Sequence, residues 1–307
     1  MNIPFGSIIR PKIATRKAKA RSFYSHGLKK YLRTGIIRDM EVGALERREQ
    51  PIGIFDSGLG GISVLAEALH LLPSENYLYY GDSLHIPYGD KQPEEVLILT
   101  RHAVKKLIDM GCKAIVIACN TATSVAAETL RQEFTLPIIG MEPALKPASL
   151  LSGDGHVLVM ATHMTLSQPK FQRLMQEYGK NAIPISCSGL MEIVEDGEMT
   201  GPQLVKHLDA LLSPHMDKPI KAVVLGCTHY VFLKKAIACF LGPNIPLVDG
   251  NQGTVLQLKR KLKQNDLLRT DMPHEGNVTF CTSALEPQAE MEKMNRMLQR
   301  LLQLHQA

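Results

Sequence analysis

Short apolar runs alternate with longer helical patterns along the chain from Ile52 to about residue 250. The run IGIF (52–55) precedes the helical pattern ISVLAEALHLL (62–72), and AIVIAC (114–119) precedes SVAAETLRQEF (124–134). Apolar runs of this length are typical of strands buried on both faces, and the helices between them connect parallel strands. The sequence therefore predicts an α/β fold with mainly parallel, doubly wound sheets.

The same alternation occurs in the second half of the chain. Its apolar runs are HVLVMA (156–161), AIPISC (182–187), AVVLGC (222–227) and IPLVDG (245–250). The segment PALKPASLLSGDG (143–155) separates the halves and is rich in Pro, Gly and Ser. Such composition is typical of a linker, so we expect two similarly built α/β halves on either side of it.

The first 39 residues differ in charge from the rest of the chain. They contain ten Lys or Arg and one acid, a net +9, whereas residues 40–307 contain 25 bases and 29 acids, a net −4. The leader is interpreted as a disordered arm that binds polyanions, an Arg-rich targeting segment, or translated sequence upstream of a start at Met40. We expect it to be dispensable for catalysis. The acidic remainder does not indicate a nucleic-acid surface.

The apolar runs and the cysteines also limit the class of protein. No run approaches the roughly 20 apolar residues that span a bilayer, and no signal peptide is recognisable. The six cysteines are scattered and include no CxxC pair. Free thiols in a reducing compartment are expected rather than a disulfide framework, which favours a cytoplasmic protein without membrane partners.

Two cysteines share one sequence plan. IVIACNT (115–121) and VVLGCTH (223–229) each contain three apolar residues, a small residue, a cysteine and two polar residues. Cys119 and Cys227 therefore each follow a predicted central strand, one in each half. Ligands of open α/β sheets bind at the carboxyl ends of strands, and a following helix N-terminus can stabilise a thiolate. The other cysteines lack this context, so core packing is expected for them.

Two glycine-containing loops follow other predicted strands. IFDSGLGGIS (54–63) lacks the Lys-Ser/Thr of a P-loop and does not match GxGxxG, so it does not indicate a nucleotide site. Its Asp56 and Ser57 are placed at a strand end, where they could contact a small polar ligand or take part in acid–base chemistry. GDSLHIPYGDK (81–91) could contact the same ligand or form a plain surface loop.

Several functions remain open from these residues alone. Cys227 and His229 could contribute to a zinc site, although they have no nearby CxxC or HxxxH partner. Cys119 and Cys227 could form a redox pair, but bonded sulfurs would leave no room for a substrate between them. A non-catalytic binding module gives no reason for two thiols. Two facing thiols suit a racemase that removes a proton from one face of a carbon and returns one to the other.

At these residues the sequence resembles the glutamate racemases of the aspartate/glutamate racemase superfamily. The motifs that carry the resemblance are FDSGLGG, GDSLHIPYG, ACNTAT and LGCTHY. The resemblance implies that Cys119 and Cys227 are the two acid–base groups. It implies that Asp56 and Asn120 support the first and that Glu195 and His229 support the second. It implies a wider set of substrate-binding residues, namely Asp56, Ser57, Tyr88, Gly89, Asn120, Thr121, Thr165, Thr228 and His229.

The resemblance also implies an architecture and a biological role. It predicts a leader over 1–50, a first α/β domain over 51–142 completed by about 251–307, and a second over 143–250, with the site between them. It implies pyridoxal-independent production of D-glutamate for peptidoglycan, without cofactor or metal, by a homodimer. Cys119 would deprotonate D-glutamate and Cys227 L-glutamate. Some branches respond to a peptidoglycan-precursor activator, and aspartate racemases are the alternative within the superfamily.

Overall fold

The computed structural model describes residues 46–269 and 275–304, and the predictions for the basic leader at 1–39 lie outside them. Two parallel sheets form the framework. The first has the strand order β4-β3-β1-β2-β9 and the second the order β6-β5-β7-β8. The strands are β1 (Ile52–Asp56), β2 (Tyr77–Gly81), β3 (Ala114–Ile117), β4 (Ile138–Gly140), β5 (His156–Ala161), β6 (Ala182–Ser186), β7 (Ile220–Leu225), β8 (Leu247–Asp249) and β9 (Val278–Thr282).

The two sheets repeat one topology. In each sheet the four strands lie in the order second, first, third, fourth: β2-β1-β3-β4 in the first sheet and β6-β5-β7-β8 in the second. The pairings within both sheets are parallel. The predicted parallel α/β architecture with two similar halves is confirmed. In such sheets the ligand crevice lies where the strand order reverses, between the first and third strands. Cys119 follows β3 and Cys227 follows β7, the two equivalent third strands.

Helices connect the strands and cover the sheets. They are α1 (Ile62–Leu71), α2 (Pro93–Asp109), α3 (Asn120–Glu133), α4 (Leu145–Ser149), α5 (His163–Ser167), α6 (Pro169–Tyr178), α7 (Leu190–Glu195), α8 (Pro202–Leu212), α9 (Lys234–Leu241), α10 (Asn251–Gln264) and α11 (Pro287–Leu304). In the described residues no helix combines the length and apolarity needed to cross a membrane.

The chain returns to the first sheet after it has completed the second. Helices α10 and α11 both pack against α1, and β9 pairs in parallel with β2 at the edge of the first sheet. One hydrophobic cluster runs through both halves, since it contains Ile54 of β1 and Val223 of β7. The two sheets are therefore joined by a continuous apolar core, and their strand ends are held close together.

The segment between the sheets is not wholly extended. Within the predicted linker at 143–155, Leu145–Ser149 forms α4, whose Leu145 and Ala148 are completely buried beneath β5 and β7. Its apolar residues pack on the second sheet, so a segment rich in turn-forming residues still contains a helical turn.

Candidate active site

Both strand-end cysteines line one cleft with about 530 Å³ of empty volume. Cys119 lies two residues after β3 and Cys227 two residues after β7, so each sheet contributes one thiol. Both residues are buried, with exposed fractions of 6% and 8%. Each sulfur therefore lies in the protein interior and is open mainly to the cleft. In that position it can act on a small ligand enclosed there.

Cys119 caps the helix that follows it. Its sulfur accepts hydrogen bonds from the Ala122 amide at 3.4 Å and from the Ser57 hydroxyl at 3.4 Å. Helix α3 therefore begins at Asn120, whereas the apolar pattern predicted a start at Ser124. Burial and, to a lesser extent, the nearby Asp56 carboxylate raise the pKa of Cys119 to about 12, although the Ser57 hydrogen bond acts in the opposite direction. The thiol form is thus favoured at neutral pH.

Cys227 contacts a buried histidine–carboxylate pair. Its sulfur lies 3.6 Å from Nδ1 of His229, and Nε2 of His229 lies 2.7 Å from Oε1 of Glu195. Thr228–Leu233 forms a 3₁₀ helix directly before α9. This tight turn brings His229 back beside the cysteine two residues earlier.

The charges of this pair depend on each other. Burial lowers the pKa of His229, but contact with Cys227 and Glu195 outweighs burial, so the pKa is raised well above its usual value. Burial raises the pKa of Glu195, but His229 outweighs it and the net pKa is lowered. The Leu59 amide also donates to Glu195 at 2.8 Å. We conclude that an imidazolium between a carboxylate and the Cys227 sulfur is the favoured state.

Asp56 joins the two halves beneath the cleft. It ends β1, accepts the Gly58 amide at 3.0 Å and accepts the Thr228 hydroxyl of the other half at 3.2 Å. Burial raises the pKa of Asp56, and the neighbouring His229 partly offsets this. Asp56 is not among the residues that line the cleft, so it contacts the site through Thr228 and through its charge.

Three threonine hydroxyls form a small network between the halves. Thr121 lies 2.9 Å from Thr162 and 3.3 Å from Thr165, and Thr162 donates to Thr165 at 3.0 Å. Thr121 and Thr162 line the cleft, whereas Thr165 lines a smaller neighbouring pocket. Thr162 was missed by the sequence analysis. It directly follows β5, and that position was the signal that could have found it.

The loop after β2 contributes Tyr88 and Gly89 to the cleft. The Tyr88 hydroxyl donates to Asp82 at 2.7 Å, and Nδ1 of His85 lies 2.9 Å from the same carboxylate. A Cβ on Gly89 would come within 3.1 Å of Thr162, so glycine permits the loop to approach the other half closely. Asp82 was missed as a residue that holds Tyr88, although it stands at a strand end in the motif GDSLHIPYG.

The structure brings the predicted residues together, in two layers. Those that line the cleft are Ser57, Tyr88, Gly89, Cys119, Asn120, Thr121, Cys227, Thr228 and His229. Asp56, Glu195 and Thr165 lie behind them and bond to them. Asn120 donates to the Met141 sulfur at 3.3 Å, and its buried Oδ1 has no hydrogen-bond partner. That oxygen is available to a ligand's donor group.

A third cysteine also lines the cleft. Cys187 follows β6, is buried, and donates from its thiol to the Ile185 carbonyl at 3.4 Å. Burial raises its pKa to about 12, with Cys227 nearby adding to the effect. The prediction of simple core packing for Cys187 is therefore incomplete, because this strand end also reaches the site.

Comparison with known proteins agrees with this constellation. A profile of the Asp/Glu/hydantoin racemase family matches residues 64–258. A Clostridium perfringens protein named glutamate racemase is 48% identical over 255 residues, which are 82% of this chain and 97% of the relative. The chain belongs to the Asp/Glu/hydantoin racemase family. A Clostridium acetobutylicum glutamate racemase is 49% identical over 224 residues, 72% of this chain and 87% of the relative.

Solved structures of family members have the same fold. The Escherichia coli glutamate racemase, in complex with L-glutamate and the activator UDP-MurNAc-ala, aligns with a TM-score of 0.72 at 29% identity and covers 82% of this chain and 95% of that chain. The Thermus thermophilus glutamate racemase, in complex with β-chloro-D-alanine, aligns with a TM-score of 0.71 at 32% identity over 81% of this chain and 93% of that chain. The resemblance deduced from the motifs is confirmed.

Proposed function

We propose that this racemase interconverts L- and D-glutamate without a cofactor, with Cys119 and Cys227 as its two acid–base groups. The observation that carries the proposal is the presence of both thiols in one cleft, each at the end of an equivalent third strand. A racemase must remove the α-proton from one face and deliver a proton to the other. Two groups supplied by two similar halves meet that requirement.

The surroundings of the two sulfurs differ. Cys119, whose pKa burial raises to about 12, is a thiol that can donate a proton. Cys227 lies 3.6 Å from Nδ1 of the His229 imidazolium and is the base of the proposed reaction. In this state Cys227 deprotonates L-glutamate and Cys119 protonates the opposite face. The reverse reaction restores the original protonation of both sulfurs.

The substrate's charged groups have partners at the cleft. Asn120 and Thr121 begin α3, where the first amides of a helix have no intrahelical acceptor and can bind a carboxylate. Ser57, Tyr88, Gly89, Thr228 and His229 line the remaining walls, and Asp56 and Thr165 support them from behind. This arrangement binds an amino acid through backbone and hydroxyl groups.

The proposal extends to the organisation and role of the protein. We assign 51–142 with about 251–307 to a first domain and 143–250 to a second, in a homodimer that supplies D-glutamate for peptidoglycan in the cytoplasm. The support is the similarity to named glutamate racemases over 82% of the chain, together with the return of β9 to the first sheet.

The proposal is tested with purified protein and two single substitutions. Cys119→Ser and Cys227→Ser keep the shape of each site but replace a thiol by a hydroxyl, a much poorer acid–base group. In each variant the rate of racemisation of L-glutamate should fall by several orders of magnitude. The rate is measured as the decrease with time in the optical rotation of the L-glutamate solution. Racemisation of L-aspartate should be much slower than that of L-glutamate in the unsubstituted protein.

A matched control uses a cysteine outside the cleft. Cys239 is exposed on α9, and Cys239→Ser should leave the rate unchanged. Near-normal racemisation by either cleft variant would overturn the two-thiol mechanism. Equal kcat/KM for aspartate and glutamate would overturn the substrate assignment.

A further inference from the structure

The C-terminal helix α11 contacts both halves of the protein. In the first half, Ser83 donates to Glu290 at 2.8 Å, and Met294 lies against Gly81, where a Cβ would come within 2.8 Å of its methyl group. In the second half, Arg300 approaches the Met199 sulfur at 3.5 Å. Helix α11 is therefore fixed to the first sheet while its side chains reach the segment around α7.

Lys293 is the residue of α11 that reaches the active site's supporting groups. Its ammonium group donates to the main-chain carbonyl of Glu195, the last residue of α7. Carbonyls at a helix C-terminus have no intrahelical donor, and a cation there also interacts favourably with the helix dipole. Lys293 therefore fixes the end of α7 at the residue whose side chain enters the site.

From Glu195 a continuous series of side-chain contacts leads to Cys227. The Glu195 side chain lies 2.7 Å from His229, which in turn lies 3.6 Å from Cys227. Cys119 is held instead by Ser57 and by the Ala122 amide. A displacement of Glu195 would consequently act directly on His229 beside Cys227, whereas it would reach Cys119 only through the Leu59 amide and the main chain of the loop that carries Ser57.

We propose that Lys293 is a positioning residue for Cys227, which it aligns through Glu195 and His229. The inference rests on the two-thiol function proposed above. Lys293 does not reach the cleft lining, so it acts on the reaction only through this chain of contacts. Its positive charge acts in the same direction as the geometry, because it helps keep Glu195 ionised beside His229.

Three substitutions separate positioning from general stabilisation. Lys293→Met removes the donor and the charge, Lys293→Arg keeps both, and Arg296→Met, on the exposed face of the same helix, is the matched control. We expect Lys293→Met to lower kcat roughly tenfold to hundredfold, as small misplacements of a reacting group do. Lys293→Arg should recover most of that loss, and Arg296→Met should behave as the unsubstituted protein.

Isotope effects show which half of the reaction is affected. For a racemase the equilibrium constant is one, so kcat/KM is equal in both directions, but each direction breaks the α-C–H bond with a different thiol. In Lys293→Met, α-deuterated L-glutamate should show a larger isotope effect than in the unsubstituted protein, and α-deuterated D-glutamate a smaller one. Isotope effects that are unchanged, or changed equally for both enantiomers, would overturn the proposal.

Alkylation of the thiols gives a readout that does not need racemisation. With iodoacetamide at neutral pH, followed by mass spectrometry, Lys293→Met should slow modification of Cys227 several-fold and leave Cys119 unchanged. An inactive unsubstituted protein would count against the proposed function, whereas equal slowing at both cysteines would count against the role of Lys293. If Lys293→Met and Lys293→Gln both fail to fold by circular dichroism, the residue is structural and the proposal is overturned.

Discussion

His229 and Glu195 are both buried, and each depends on the other for its charge. The pKa of His229 is raised well above its usual 6.5 despite burial, and the pKa of Glu195 is lowered below its usual 4.5 despite burial. Removing one partner of such a pair leaves an uncompensated buried charge, at a cost of about 3–5 kcal/mol. The same ion pair therefore contributes to the stability of the fold and forms the surroundings of the Cys227 sulfur.

The pair gives a pH-dependent prediction for His229→Asn. A raised histidine pKa stabilises the folded state fully below pH 6.5, and this is lost as pH rises through the folded-state value. A lowered glutamate pKa stabilises above pH 4.5 and is lost on acidification. The free energy of unfolding should therefore be about 3 kcal/mol lower than normal near pH 6, and the difference should shrink in the alkaline range.

Urea unfolding at a series of pH values measures this difference. His102→Asn, at an exposed position of α2, is the control and should change stability little at any pH. A deficit of His229→Asn that grows as the solution becomes more alkaline would contradict the assignment of a charged pair.

At the scale of elements, the turn after β1 brings the two halves into close contact. A Cβ on Gly60 would lie 2.3 Å from the Thr228 hydroxyl and 2.5 Å from Nδ1 of His229. These atoms belong to the 3₁₀ turn that carries the groups beside Cys227. The glycine-rich motif superficially invites a nucleotide interpretation. Its Gly60 instead allows the main chain after β1 to lie close to Thr228 and His229 of the other half.

Gly60→Ala should consequently reduce both stability and activity. The added methyl group must displace Thr228 or His229, and overpacking of this kind costs about 1–3 kcal/mol. Gly253→Ala in α10 is the matched control, because no atom lies within 4 Å of a Cβ there, and alanine favours the helix by up to about 1 kcal/mol. Thermal unfolding and racemisation rates test both. A Gly60→Ala protein with normal kcat and stability would contradict this prediction, because it would show that the turn can move away from Thr228 and His229 without loss.

The sequence predicted those elements whose signal is local. The named apolar runs located β1, β3 and β5 to β8, because each of these strands has a largely hydrophobic sequence of its own. The strand β9 and the helix α11 were not assigned individually, because their place depends on pairing with β2 and packing on α1, far away in the chain. The start of α3 was missed because its cap is a cysteine sulfur and not a Ser, Thr, Asp or Asn oxygen.

At the scale of the whole molecule, the repeated topology brings the strand-end residues of both halves to one cleft. Strand-end positions indicated the two cysteines, Asp56 and Ser57, whereas the other predicted site residues were implied by the resemblance to the glutamate racemases. Thr162, Asp82 and Cys187 were missed, although each directly follows a strand. Nothing in the local sequence shows which strand ends face the other sheet. Lys293 could not be found from any motif, since its contact depends on the path of α11 across both halves.

Two similar halves that each supply one thiol predict a specific pattern of isotope incorporation. During racemisation in D₂O, the thiol that protonates the product has exchanged its hydrogen with solvent, so early product should carry deuterium at the α-carbon. The thiolate that removes the substrate's proton holds it on the opposite side, so unreacted substrate should keep its protium. A single base serving both faces would return the abstracted proton to the product. If that base exchanged its proton with D₂O, it would place deuterium in recovered substrate as well. Mass spectrometry of both enantiomers at low conversion, started separately from L- and D-glutamate, distinguishes the cases. Deuterium in recovered substrate at the level found in product would rule out two bases that act from opposite sides.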